Sequence, residues 1–94
     1  MPEYIRITPE YDPDDDLVAA LVTNLNLAYD GEEEYYANAA EGEEGSPLAQ
    51  LMFLIDGVEQ LTITEDSLII RRRPDVDWYV LIDEISTAIK DFYL

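Results

Sequence analysis

A two-layer α+β fold, with a mainly antiparallel sheet of four to five strands and two helices packed on one face, is predicted from three features of this sequence. Trp78, Leu81, Ile82, Ile85, Ile89 and Phe92 recur at helical spacing and share one face of a C-terminal helix. Two β-rich runs, Val58–Thr64 and Ser67–Arg72, are joined by a turn around Glu65–Asp66, which reads as a hairpin. Near the N-terminus, Tyr-Ile-Arg-Ile-Thr alternates as a strand does.

That alternating run, Tyr4–Thr8, is the first expected strand. Pro9, Pro13 and the acidic run Asp12 to Asp16 break it into a solvated turn. Leu17–Tyr29 admits two readings. As a helix, Leu17, Leu21, Leu25 and Ala28 form a stripe that Asp16 caps; as a strand, Ala19, Leu21, Thr23, Leu25 and Leu27 alternate with Ala20, Val22, Asn24 and Asn26. The strand is favoured, because asparagine competes for backbone hydrogen bonds inside a helix. From Asp30 to Gly45 the chain is acidic and punctuated by glycine, and reads as loop with a short third strand at Tyr35–Tyr36.

Ser46 then caps a helix with Pro47 at its first position. Leu48, Leu51, Met52 and Ile55 form its stripe, Phe53 and Leu54 widen it, and Gly57 stops it. After the hairpin, Pro74 ends the last strand and Asp75 or Asp77 caps the final helix. The order is β-β-(β)-α-β-β-α, a single domain over residues 1–94, with Leu51 and Ile85 expected at the centre of its core.

Composition narrows the chemistry. The 94 residues carry 22 acidic and five basic side chains, a net charge of −17, with no cysteine and no histidine. Thiolate-held clusters and zinc ribbons are therefore excluded on this sequence, as is the usual general base at neutral pH. No apolar run reaches the ~18 residues of a membrane span, and Met1–Pro2–Glu3 offers no basic leader start. Strong negative charge opposes binding to nucleic acid or to anionic membranes. The expected address is cytoplasmic. A single lysine beside four arginines, amid so many carboxylates, also fits adaptation to high salt.

Few constellations suggest a site. Asp12, Asp14, Asp15 and Asp16 begin like a calcium-binding loop, but Leu17 stands where that loop requires glycine and Thr23 where it requires a bidentate glutamate. Glu32–Glu34 and Glu41–Glu44 read as solvated acidic runs. Asp56, Asp83 and Glu84 border apolar stripes yet each fits a helix end or an exposed helical position, and no nucleophile–base pair exists, so no catalytic residue is expected. Arg71, Arg72 and Arg73 are the one basic cluster. They read either as a partner surface for acidic or phosphate groups, or as the charged end of an edge strand paired with nearby acids. Trp78 is expected to anchor the head of the last helix in the core.

The C-terminal half resembles the N-terminal domain of the Nfu/NifU-related scaffold proteins of iron–sulfur assembly. The resemblance runs through Ser46-Pro47-Leu48-Ala49, Leu51 to Phe53, Ile55-Asp56-Gly57-Val58, the strand ending Ser67-Leu68-Ile69-Ile70, and Asp77-Trp78, over about residues 46–92. The N-terminal half departs from it. Thr8-Pro9-Glu10-Tyr11-Asp12-Pro13 keeps the prolines of that family's Thr-Pro-Asn-Pro motif at altered spacing, and no Lys-Phe follows. The resemblance implies a β-rich α+β accessory domain with no cofactor, which meets iron–sulfur assembly or recipient proteins while the cluster sits on a separate Cys-x-x-Cys domain. The alternative is an acidic protein that occupies a basic, nucleic-acid-binding site on a partner.

Overall fold

The computed structural model describes residues 4–28 and 32–93, so the expected assignments at Met1–Glu3, Tyr29, Asp30 and Gly31 lie outside the described residues. Five strands, β1 (Ile7–Tyr11), β2 (Val18–Thr23), β3 (Glu34–Tyr36), β4 (Val58–Ile63) and β5 (Ser67–Arg72), form one sheet in the order β1-β2-β5-β4-β3. Every pairing is antiparallel. Helices α1 (Ala39–Glu43), α2 (Pro47–Phe53) and α3 (Trp78–Tyr93) pack on one face. The Cα radius of gyration is 12.2 Å.

Alternation sets the two faces. Ala19, Leu21 and Thr23 of β2, Leu61 and Ile63 of β4, and Leu68 and Ile70 of β5 point inward and are buried. They meet Leu48, Ala49 and Met52 of α2 and Leu81, Ile85 and Ile89 of α3. Register aligns these rows: Leu21 lies opposite Leu68, and Ile70 lies between Ala19 and Leu61. Removing a central member such as Ile85 leaves a cavity and costs about 2–5 kcal/mol.

Four expectations are corrected. The first strand begins at Ile7 and runs through Pro9 instead of stopping before it. Strand β1 is an edge, so the missing N–H of Pro9 leaves no ladder bond unmade. Second, Leu17–Tyr29 is a strand only to Thr23; the Asn24 side chain then accepts from Arg6 N at 2.9 Å and donates to Tyr4 O at 3.1 Å, turning the chain back along the entry to β1. Third, the acidic loop contains α1. Asn38 caps Glu41 N at 2.9 Å while the Glu41 carboxylate accepts from Ala37 N at 3.1 Å, a reciprocal cap that glycine and charge concealed. Fourth, α2 ends at Phe53, leaving Leu54 82 % exposed, and Gly57 (φ 108°) turns the chain into β4 in a left-handed conformation.

The α1–α2 corner is held by aromatic packing. The Tyr36 hydroxyl donates to the Glu34 carboxylate and accepts from Ser46 N, joining β3 to the cap of α2. Burial, together with that carboxylate, raises the Tyr36 phenol above its ordinary range. Phe53 stands edge-on to Tyr36, 6.3 Å between centroids, and lies where a Cβ on Gly42 would project.

Candidate functional site

The Arg71–Arg73 run does not end an edge strand, as expected, because β5 is the central strand of the sheet. Each arginine meets groups of its own chain. Arg71 pairs with Asp15 in the β1–β2 turn at 3.0 Å. The Leu17 N–H and then Arg71 hold the Asp15 carboxyl below its usual range. Arg72 Nη1 donates to the carbonyl oxygens of Arg73, Pro74 and Val76 at 3.2, 3.1 and 2.9 Å, and its guanidinium lies 5.7 Å from the centroid of the Trp78 ring. Arg73 holds Asp56 through two bonds at 2.8 and 3.0 Å and reaches Asp75 at 2.6 Å. Those carboxylates push the Arg73 pKa up, and Arg73 pulls that of Asp75 down.

Trp78 joins this end of the molecule. It is half-buried and packs against the core, but its indole N–H donates to Asp16 O at 2.7 Å and its ring meets Tyr11 edge-on at 6.1 Å. It thereby fastens the β1–β2 turn to the start of α3, a polar role that helical periodicity does not reveal. The acidic turn is locally ordered, with Asp12 accepting from Asp14 N and Asp15 from Leu17 N. Among the described residues no group of three or more acidic, histidine or cysteine side chains could hold a metal ion.

Two cavities meet at the end of α3. The larger, an open groove of about 570 Å³, is lined by Leu51 of α2 and by Asp83, Glu84, Thr87, Ala88, Asp91 and Phe92 of α3, so apolar side chains and three carboxylates share it. The second, about 340 Å³, is lined by Leu27, Ala28, Pro47, Leu48, Phe92 and Tyr93 among others. Phe92 borders both, its ring 4.9 Å from that of Tyr93, whose phenol burial raises above its ordinary range. Leu51 and Phe92, expected in the core, are thus half-buried and 44 % exposed respectively. The first turn of α2 reaches the last turn of α3, where Pro47 and Leu48 line the same space as Phe92 and Tyr93, yet Phe92 stays exposed. Acidic residues at 83, 84 and 91 around Ala88 and Phe92 were the available signal.

The five-stranded antiparallel sheet with its helices on one face defines a two-layer α+β domain that carries two grooves beside α3. Residues 7–94 match the family model described as scaffold protein Nfu/NifU N terminal, and the chain belongs to that family. It is 41 % identical over 49 residues to NifU-like protein 4, mitochondrial, of Arabidopsis thaliana, and 38 % identical over 48 residues to NifU-like protein 5, mitochondrial, of the same plant. Those matches take in 52 % and 51 % of this chain but only 17 % and 18 % of the relatives' own length. The solution NMR structure of a NifU-like protein from Saccharomyces cerevisiae superposes with a TM-score of 0.76 at 24 % identity, covering 97 % of this chain and 82 % of that one. A Staphylococcus aureus protein superposes at 0.69 with 10 % identity, over 89 % and 98 % of the two chains. At these identities the two structures show a shared fold.

The expected cytoplasmic address is corrected by the plant relatives, both named as mitochondrial. It rested on the non-basic start of the sequence and its lack of a long apolar run, and neither specifies a compartment. Among the described residues no helix is long and apolar enough to cross a membrane.

Proposed function

We propose that this domain docks iron–sulfur assembly or recipient proteins through the α2–α3 groove, and that the segment it receives is basic and amphipathic. The observation that carries this reading is the open groove itself, where exposed Phe92 shares the lining with Leu51 and Ala88 and with the carboxylates of Asp83, Glu84 and Asp91. Apolar side chains of a partner bury against Leu51, Ala88 and Phe92, while lysine or arginine beside them meets those carboxylates. The net charge of −17 speeds the encounter with such a segment. In this reading Arg71, Arg72 and Arg73 brace the end of the sheet and make no partner contact. The domain holds no cluster itself and acts on the assembly of clusters carried elsewhere.

The test is a chemical-shift titration with a short peptide in which leucines alternate with lysines at helical spacing, followed by a purified cluster-carrying assembly protein. Shifts should concentrate at Leu51 and residues 83–92, and Phe92→Ser should weaken binding about tenfold, the scale of one buried interface side chain. Occupancy of a basic site by charge alone predicts shifts spread across Asp12–Asp16 and Glu41–Glu44, unaffected by Phe92→Ser; that result would replace the groove.

A further inference from the structure

Arg6 and Lys90 are two of only five basic side chains in this sequence, and among the described residues neither forms an ion pair. They line one cavity of about 300 Å³ between the entry to β1 and α3, together with Tyr4, Ile5, Ile7 and Ser86. No carboxylate among the described residues lines it, in a chain with 22 acidic residues. A water's share of liquid volume is about 30 Å³, so the space admits a polyatomic ion.

The walls are positioned. Arg6 Nη2 donates to the Tyr4 hydroxyl at 2.8 Å, and its guanidinium lies 5.7 Å from the centroid of the same ring, so one edge of the fork is held while other N–H groups remain available. Asn24 grips the backbone on both sides, accepting from Arg6 N and donating to Tyr4 O. Ile5, between them, is buried in the core. Ser86 and Lys90, four residues apart on α3, share one helical face and bring a hydroxyl and an ammonium to the same space.

We infer that this cavity is an oxyanion site that takes a phosphate or phosphate monoester, with Arg6 bonding two of its oxygens, Lys90 a third, and Ser86 and Tyr4 supplying hydroxyls. A guanidinium fork beside an ammonium suits a tetrahedral dianion better than a single carboxylate. The overall negative charge does not forbid it. At 0.15 M salt, charges more than about 8 Å away are largely screened, while direct contacts persist. The site is independent of the α2–α3 groove and goes beyond docking there.

The experiment is a chemical-shift titration at 0.15 M chloride with inorganic phosphate, a phosphoserine peptide and acetate. Inorganic phosphate or the phosphopeptide should saturate shifts at residues 4–7 and 86–90 with a Kd of roughly 1 mM. Tighter binding of one or the other assigns the source as free phosphate or as a phosphorylated chain. Arg6→Gln should weaken binding about tenfold and Lys90→Gln severalfold. Both side chains are exposed, so unchanged spectra elsewhere should verify folding. Linear, unsaturating shifts, equal shifts in the Arg6→Gln/Lys90→Gln variant, or equal saturation by acetate would overturn the proposal.

Discussion

Two places in this molecule hold its positive charge, and they use it in opposite ways. At Arg71–Arg73, strand end and turns supply three carbonyls, three aspartates and a Trp ring, and each cation meets partners within the chain. At Arg6 and Lys90 the surrounding groups are tyrosine, serine and isoleucine, and neither cation has an acidic partner among the described residues. Abundance of acid therefore does not decide which cation is occupied. Local backbone geometry does, because a short ion pair needs both groups held within about 4 Å.

The largest effect that tests this contrast is salt. Seventeen net negative charges form about 136 repelling pairs; at ~20 Å in water each costs ~0.2 kcal/mol. After screening at 0.01 M, and with half the repulsion shared by the unfolded chain, about 7 kcal/mol acts against folding; at 0.15 M it is about 1 kcal/mol. Against a typical stability of ~5–15 kcal/mol this is decisive. The thermal midpoint should therefore rise steeply from 0.01 M to 1 M KCl. A flat or falling midpoint would mean that the pairs at Arg71–Arg73, which salt weakens, outweigh the general repulsion.

How far the sequence discloses these features follows the range of the interactions that make them. Ser46, Pro47, the Val58–Arg72 hairpin and the Leu81–Ile85–Ile89 stripe are set by neighbours within a few residues, and each is visible in the chain. The α1 cap at Asn38 and Glu41 is equally local but lies in a glycine-broken acidic run whose composition speaks for loop. Pro9 in β1 depends on that strand being an edge, and the placing of Arg71–Arg73 depends on β5 being central. Strand order is invisible to periodicity. The stripe of α2 divides between core and surface, with Leu48 and Met52 buried while Leu51 is half-buried and lines the α2–α3 groove. The pairing of Arg6 with Lys90 in one cavity joins positions too far apart in sequence for any spacing rule.

A smaller effect separates the two sets of cations directly. Arg72→Lys should cost about 1–3 kcal/mol, because an ammonium cannot reproduce the flat guanidinium against Trp78 while reaching the three carbonyls of the turn. Arg6→Gln should stay within about 0.5 kcal/mol, as expected of an exposed side chain with one local hydrogen bond. Urea melts of both variants at 0.15 M KCl measure the difference. Equal costs would mean that the Arg6 side chain supports the fold no less than that of Arg72.

The smallest effect concerns the acids on the occupied side, and its sign depends on pH. Asp15 and Asp75 have folded pKa values below their ordinary one, through the Leu17 N–H and Arg71 in the first case and Arg73 in the second. A group depressed in this way stabilises the fold above its unfolded pKa, near 3.9, and that contribution disappears as pH falls through the lower folded value. Asp15→Asn and Asp75→Asn should therefore melt below the parent protein at pH 7, with the gap closing as the pH drops below about 4. Each substitution also removes one negative charge from a chain at −17, which relieves general repulsion and acts in the opposite direction. Asp14→Asn supplies that correction, since Asp14 lies in the same turn, is exposed and forms no ion pair among the described residues. Its midpoint should be unchanged or slightly raised. If all three variants shift alike at pH 7, only net charge matters at this end of the sheet, and the occupied cations are as dispensable to the fold as Arg6 and Lys90.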